Sequence, residues 1–388
     1  MRIGIISEFN NDTINYGNHL QAYALNRFLR QNFAAECVQS IILVSRQHWK
    51  YTNVFSKEYF QKLVSFVQRK LSSKSQRVSG VNPFAERLQR FEDFRNKYFC
   101  DGFPVMNRDD IINSNYDVFV VGSDVVWNQL SFRVNRTKFL DFTTKKPFKR
   151  ISYAASFGDD WIPKCNVGYI RKHLRSFDAI SVREHSTVAM LNTIGVPGVS
   201  YCLDPTLLLK AEDWEHIEEA PAMVKDEEKF IFVYLFDREV QKRKDIAAFA
   251  KEHGLKVVYV PNAAGFTSDQ DVYFEGLGIH DCSIENWVWL IHHAQYVITD
   301  SFHGSVFSTI FNKKFAVLKR YTPEGYEIGN RMQDYLREIR QLDKILISRD
   351  LGKMKDMIWD YCETNAAIET RRQSSIAFLN GAIGEKNG

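Results

Sequence analysis

The feature that narrows the fold most is a recurring pattern: a short apolar run, a polar loop, then a helical repeat. Its clearest instance is Asp117-Val-Phe-Val-Val121, a continuous apolar run that ends abruptly in Gly122-Ser123-Asp124. A strand buried on both faces of a parallel sheet reads this way, without the alternation of a half-exposed strand. Residues 3–6, 38–44, 151–155 and 179–182 repeat the pattern, and one further strand leads into Leu203-Asp204-Pro205. After an acidic stretch at 211–228, a second series follows at 230–235, 256–260, 296–299 and 314–318. Between the strands, apolar residues recur at helical spacing, as at Leu20, Tyr23, Ala24 and Phe28. Strands alternating with helices predict an α/β fold with parallel sheets covered on both faces. Two series predict two Rossmann-like domains facing across a cleft.

Length agrees with two units, since 388 residues exceed what one core usually organises. The expected division is 1–205, 206–350 and a helical segment at 351–388 that packs back on the first domain. A helical insertion is expected at about 48–98: two helices joined by a basic linker, the second with Phe84, Leu88, Phe91 and Phe94 in register. No stretch approaches the roughly 20 apolar residues that span a bilayer, and mean hydropathy is −0.32. The first eight residues run straight into a strand without the apolar segment of a signal peptide. Six cysteines stand singly, with no C-x-x-C pair, which argues against a zinc ribbon or a disulfide scaffold. The expected location is the cytoplasm. A net charge of +4, from 51 basic and 47 acidic residues, is too small to point to nucleic acid. The basic linker at residues 69–78 is either a solvated loop or a peripheral contact with anionic lipid.

Ligands of open α/β sheets sit beyond the carboxyl ends of the strands, so the loops there carry the functional reading. Asn15-Tyr-Gly-Asn18 opens a helix that also holds Gln21; it is an anion site at a helix start or an ordinary cap. Gly122-Ser123-Asp124 leads to Trp127 and Asn128. There Asp124 suits a hydroxyl and Trp127 a sugar ring, and the bland reading is a turn with a buried Trp. Arg183 at the end of a strand suits a phosphate or carboxylate, or else pairs with Glu184 or Asp204. Thr299-Asp300-Ser301-Phe302-His303-Gly304 sets a histidine at a helix opening. His280 and Cys282 with His292 and His293 match no common ligand spacing, so no metal site is expected. Gly276-Leu-Gly278 lacks the third glycine of a dinucleotide fingerprint.

Six short motifs occur in order over about residues 3 to 335: Asn15-Tyr-Gly-Asn18-x-x-Gln21, Val121-Gly-Ser-Asp124-x-x-Trp-Asn128, Ser152-Tyr-Ala-Ala-Ser156-Phe-Gly158, Ser181-Val-Arg-Glu184, Asp204-Pro-Thr206 and Thr299-Asp-Ser-Phe-His-Gly304. Together they resemble the polysaccharide pyruvyl transferase family. That resemblance implies a GT-B-like architecture and transfer of the enolpyruvyl unit of phosphoenolpyruvate onto sugar hydroxyls, giving a pyruvate ketal and phosphate. It implies no cofactor beyond the donor, and an acceptor that is a sugar or a lipid-linked oligosaccharide. It assigns His303 as acid or phosphate ligand, Arg183 as clamp and Asp124 as hydroxyl orienter or base. Asn18, Gln21, Ser123, Trp127, Asn128, Ser301, Lys319 and Arg331 are the expected binding residues. Other branches of the family carry an arginine two positions before the histidine, where this chain has Ser301, so the charge must come from Lys319, Arg320 or Arg331. A nucleotide-sugar glycosyltransferase of the same fold is the alternative, although Glu324, Glu327 and Glu338 offer no pair eight positions apart. A non-catalytic glycan-binding relative is the other.

Overall fold

The computed structural model describes residues 1–10, 13–44, 49–51, 84–128, 133–225, 228–261, 263, 269–322 and 325–384. The first expected insertion helix and the basic linker fall outside them.

The first sheet is built from β1 (Arg2–Ile6), β2 (Cys37–Leu43), β3 (Val105–Met106), β4 (Val118–Val121), β5 (Lys149–Ala155), β6 (Ala179–Val182) and β7 (Val199–Tyr201). All pair in parallel, in the order β3-β2-β1-β4-β5-β6-β7. The second contains β8 (Phe230–Tyr234), β9 (Lys256–Tyr259), β10 (Leu277–Gly278), β11 (Tyr296–Thr299), β12 (Phe315–Leu318) and β13 (Ile345–Leu346), parallel in the order β10-β9-β8-β11-β12-β13. Every residue of β4, β8 and β12 is buried, which explains their unbroken apolar sequences. In each sheet the strand order reverses once, between β1 and β4 and between β8 and β11. Those two switch points are where an open α/β sheet offers a crevice.

The helices that matter for the site are α1 (Tyr16–Asn32), α2 (Ala85–Tyr98), α3 (Lys164–Leu174), α4 (His185–Thr193), α5 (Val240–Glu252), α6 (Ile284–His293), α7 (Phe302–Ile310), α8 (Asn330–Glu338) and α9 (Cys362–Ile383). The two sheets share one apolar cluster, to which the first contributes Tyr16, Leu20 and Phe91, and the second Phe232, Trp287 and Phe307. Tyr16 stacks on Trp287, with ring centroids 5.5 Å apart, and donates its hydroxyl to the Cys282 carbonyl at 2.8 Å. Fully burying each such side chain contributes about 1.5–3 kcal/mol, so this contact fixes the cleft between the sheets. α9 crosses back to the first sheet: Leu379 and Ile383 join Ile3 and Ile5, and Ser375 accepts the Leu203 N–H at 3.0 Å. No helix among the described residues is long and apolar enough to cross a membrane.

Candidate active site

The two helices that open the cleft begin against one another. Asn15 caps α1, its side chain accepting the Asn18 N–H at 3.2 Å. Asn18 in turn donates to the Glu8 carbonyl at 2.9 Å, and the fully buried Gln21 donates to the Asn18 carbonyl at 2.8 Å. Across the cleft, Ser301 caps α7 by accepting the Gly304 N–H. The turn into α7 is held by Thr299, whose hydroxyl donates to the Tyr234 carbonyl and accepts the Ser301 N–H. Glycine is required at both helix starts. A Cβ on Gly17 would lie 2.0 Å from His303 Nδ1, and one on Gly304 would lie 2.4 Å from Thr299 Oγ1. Two helix N-termini therefore point into one space, where their dipoles favour an anion.

That space is a cavity of about 510 Å³ at the two switch points, between the sheets. Its wall combines Glu8, Asn15, Asn18, Asp124 and Asn128 from the first sheet's loops with Phe236, Ser301, Phe302, His303, Arg320 and Arg331 from the second's. Asp124 stands in the left-handed region at φ 59°, a conformation that Asp tolerates better than most residues but that still stores strain. Its carbonyl accepts the Ser156 and Val126 N–H groups, which fixes the carboxylate at the cavity edge.

Behind the wall lies a charge cluster centred on Arg183, which is 4% exposed. Its Nη2 donates to Asp124 at 2.9 Å, Nη1 to Asp204 at 2.7 Å and Nε to Glu184 at 3.2 Å, and the guanidinium lies 4.4 Å over the Phe302 ring. Ser123 also donates to Asp204. Burial alone would raise the Asp124 carboxyl, but Arg183, His303 and Arg331 outweigh it and hold the group below its ordinary value. Asp204 is driven further down, burial being overcome by His303, whose Nε2 lies 3.6 Å away, and by Arg183. For Glu184 burial wins, and its pKa is raised. The cavity thus carries a fixed anion, Asp124, with Arg331 4.0 Å from it. Arg320 is anchored at the far wall by Asp300, through Nε at 3.0 Å and by Nη2 to the backbone carbonyl at 2.9 Å.

Set beside the sequence expectations, Asp124, His303, Asn18, Asn128, Ser301 and Arg331 come together in the wall. The others do not line it. Arg183 is not a free clamp, because its fork is committed to three carboxylates. Trp127 is 1% exposed, donates its indole N–H to the Lys138 carbonyl and stacks on Phe139. Its ring belongs to the core and has no face for a sugar. Ser123 and Gln21 are wholly buried positioning groups. Lys319 is absent from the lining, and Arg320 and Arg331 are the cations there. Glu8, Phe236 and Phe302 were not singled out from the sequence. All three follow strand ends at the switch points, and that position was the signal available for them.

Two parallel α/β units with a cavity at their joint switch points define a GT-B-like protein. The solved UDP-GlcNAc 2-epimerase of Methanocaldococcus jannaschii shares this fold, with a TM-score of 0.50 at 12% identity over 97% of this chain and 100% of that one. UDP-GlcNAc 2-epimerase from Neisseria meningitidis aligns with a TM-score of 0.47 at 12% identity over 98% and 100%. The Escherichia coli heptosyltransferase WaaC aligns with a TM-score of 0.38 at 10% identity over 97% and 100%. No curated protein matches the chain in sequence. The family model for polysaccharide pyruvyl transferase matches residues 15–320, and the chain belongs to that family.

Proposed function

We propose that the chain is a ketal-forming pyruvyl transferase, using phosphoenolpyruvate as donor and two hydroxyls of a surface-glycan sugar or its lipid-linked precursor as acceptor. The observation that carries this reading is the cavity itself: His303 and Asp124 share it with two arginines and two helix N-termini. Phosphoenolpyruvate is a compact dianion or trianion, with phosphate and carboxylate a few atoms apart. Arg320, Arg331 and the N–H groups at the start of α7 suit those two anions. The acid, for which His303 is the candidate, protonates the methylene carbon, and the adjoining carbon becomes oxocarbenium-like. A sugar hydroxyl attacks that carbon and passes its proton to Asp124, phosphate leaves with the C–O bonding pair and carries that proton away, and the second hydroxyl closes the ketal ring, its proton restoring His303. No redox partner or further cofactor enters that balance. In this reading the second unit is the donor side and the first the acceptor side, where Glu8, Asn18 and Asn128 offer hydrogen bonds to hydroxyls. Arg183 acts through Asp124, which it charges and orients. The donor is a cytoplasmic metabolite, so the cytoplasm is the proposed location.

Calorimetric titration with phosphoenolpyruvate, beside a panel of nucleotide sugars, tests the proposal without knowledge of the acceptor. Saturable binding of phosphoenolpyruvate alone is the expected result. Binding of a nucleotide sugar in its place would make the chain a glycosyltransferase.

A further inference from the structure

Away from the cleft, one cluster gathers metal-ligating side chains from distant parts of the sequence. Glu218 lies in the connection between the two sheets, and His292 and His293 close the last turn of α6. His292 Nδ1 is 2.9 Å from Glu218 Oε2, and His293 Nε2 is 3.3 Å from Glu218 Oε1. We propose that Glu218, His292 and His293 form a binding site for a divalent transition-metal ion of the zinc class.

Three features carry this assignment. The first is spacing: the three ligand atoms all lie within 4.8 Å of one another. Ligands about 2.1 Å from a tetrahedral ion stand about 3.4 Å apart; each histidine nitrogen is already that close to a carboxylate oxygen, and the widest spacing to be closed is at most 4.8 Å. The second is ring order. His292 stacks on Phe311 and His293 on Trp289, each pair with centroids 4.3 Å apart and nearly parallel rings, which limits the entropy lost on coordination. The third is field and access. The C-terminal end of a helix favours a cation, and side-chain exposures of 29% and 42% at the histidines leave room for water in the remaining position. Lys313 directs its ammonium to the His292 carbonyl at 2.6 Å.

The sequence predicts no metal site at His280, Cys282 and this histidine pair, and the ligand atoms that lie together here are those of Glu218, His292 and His293. Cys282 is fully buried, with its thiol 3.6 Å from the Ser283 carbonyl. The third ligand comes instead from the inter-sheet connection, which no local spacing discloses. An ion there would clasp that connection to α6, beside the bonds from Asn286 to the Glu219 carbonyl and from the Glu219 N–H to the Glu285 carbonyl. The site is independent of the catalytic reading.

The test is titration of the full, tag-free, chelator-treated chain with Co2+, read by the visible absorption of four-coordinate cobalt, followed by displacement with Zn2+. One equivalent is expected to bind, with the affinity at least about tenfold weaker in both Glu218→Gln and His293→Ala. Zn2+ is expected to raise the melting temperature of the wild type more than that of either variant. Melting curves without metal show whether the variants fold, and Glu218→Gln keeps a hydrogen-bond acceptor for the rings. Absence of stoichiometric binding, or wild-type affinity in either variant, would overturn the site.

Discussion

Arg183 is one guanidinium shared by three buried carboxylates, Asp124, Asp204 and Glu184. Removing the cation from such a cluster leaves the anions uncompensated and typically costs about 3–5 kcal/mol. Arg183→Ala is therefore expected to lower the melting temperature sharply, with loss of activity following from the displaced Asp124. An unchanged melting temperature with weakened donor binding would return Arg183 to the role of clamp. His19 shows the opposite device, a buried base kept neutral. Burial lowers its pKa to about 3, with Arg95 adding to the effect and the Asn15 carbonyl opposing it. Arg95 donates to Nε2 at 3.1 Å, so Nδ1 carries the proton that bonds Asn15. The unfolded chain binds a proton there near pH 6.5 and the folded chain does not. Stability is therefore lost as pH falls from about 6.5 towards 3. Thermal melts across that range should show a shallower slope in His19→Gln than in the wild type, and equal slopes would contradict this account. Asp124 and His303 could be singled out in the sequence because both follow a strand end closely, Asp124 in the loop after β4 and His303 in the first turn of α7. Trp127 and Arg183 misled because a side chain in such a loop reads alike whether it faces the cavity or the core.

At the scale of elements, the site depends on two helix starts in contact. Gly17 of α1 has no side chain, and His303 of α7 occupies the room this leaves. Gly17→Ala is expected to push the imidazole from its seat and to cut phosphate release from phosphoenolpyruvate by about 10²-fold or more, as His303→Ala would if the ring is the acid. Circular dichroism should stay that of the wild type. Full activity in Gly17→Ala would mean that the position of His303 does not matter to the reaction. The central strands and long helices were readable, since burial on both faces leaves an unbroken apolar run and one-sided burial a 3.6-residue period. The edge strands Val105–Met106, Leu277–Gly278 and Ile345–Leu346 were not. Two residues carry no periodicity, and they pair only because a neighbouring edge is open to them.

For the whole molecule, the two-sheet architecture followed from the two series of apolar runs. How the sheets meet did not, because the Tyr16–Trp287 contact joins residues 271 positions apart (287 − 16). The same distance left Lys319, Arg320 and Arg331 as equal candidates for the charge missing at Ser301, of which Arg320 and Arg331 line the cavity. Arg331 lies on α8, in the second unit, yet stands 4.0 Å from Asp124 of the first, so the cavity is complete only when both units are packed. The most direct measurement is phosphoenolpyruvate affinity in Arg331→Ala beside Lys319→Ala. The account predicts at least about tenfold weaker binding when Arg331 is lost, the scale of one charge-assisted contact, and wild-type affinity without Lys319. Unchanged affinity in Arg331→Ala would contradict a donor site in this cleft.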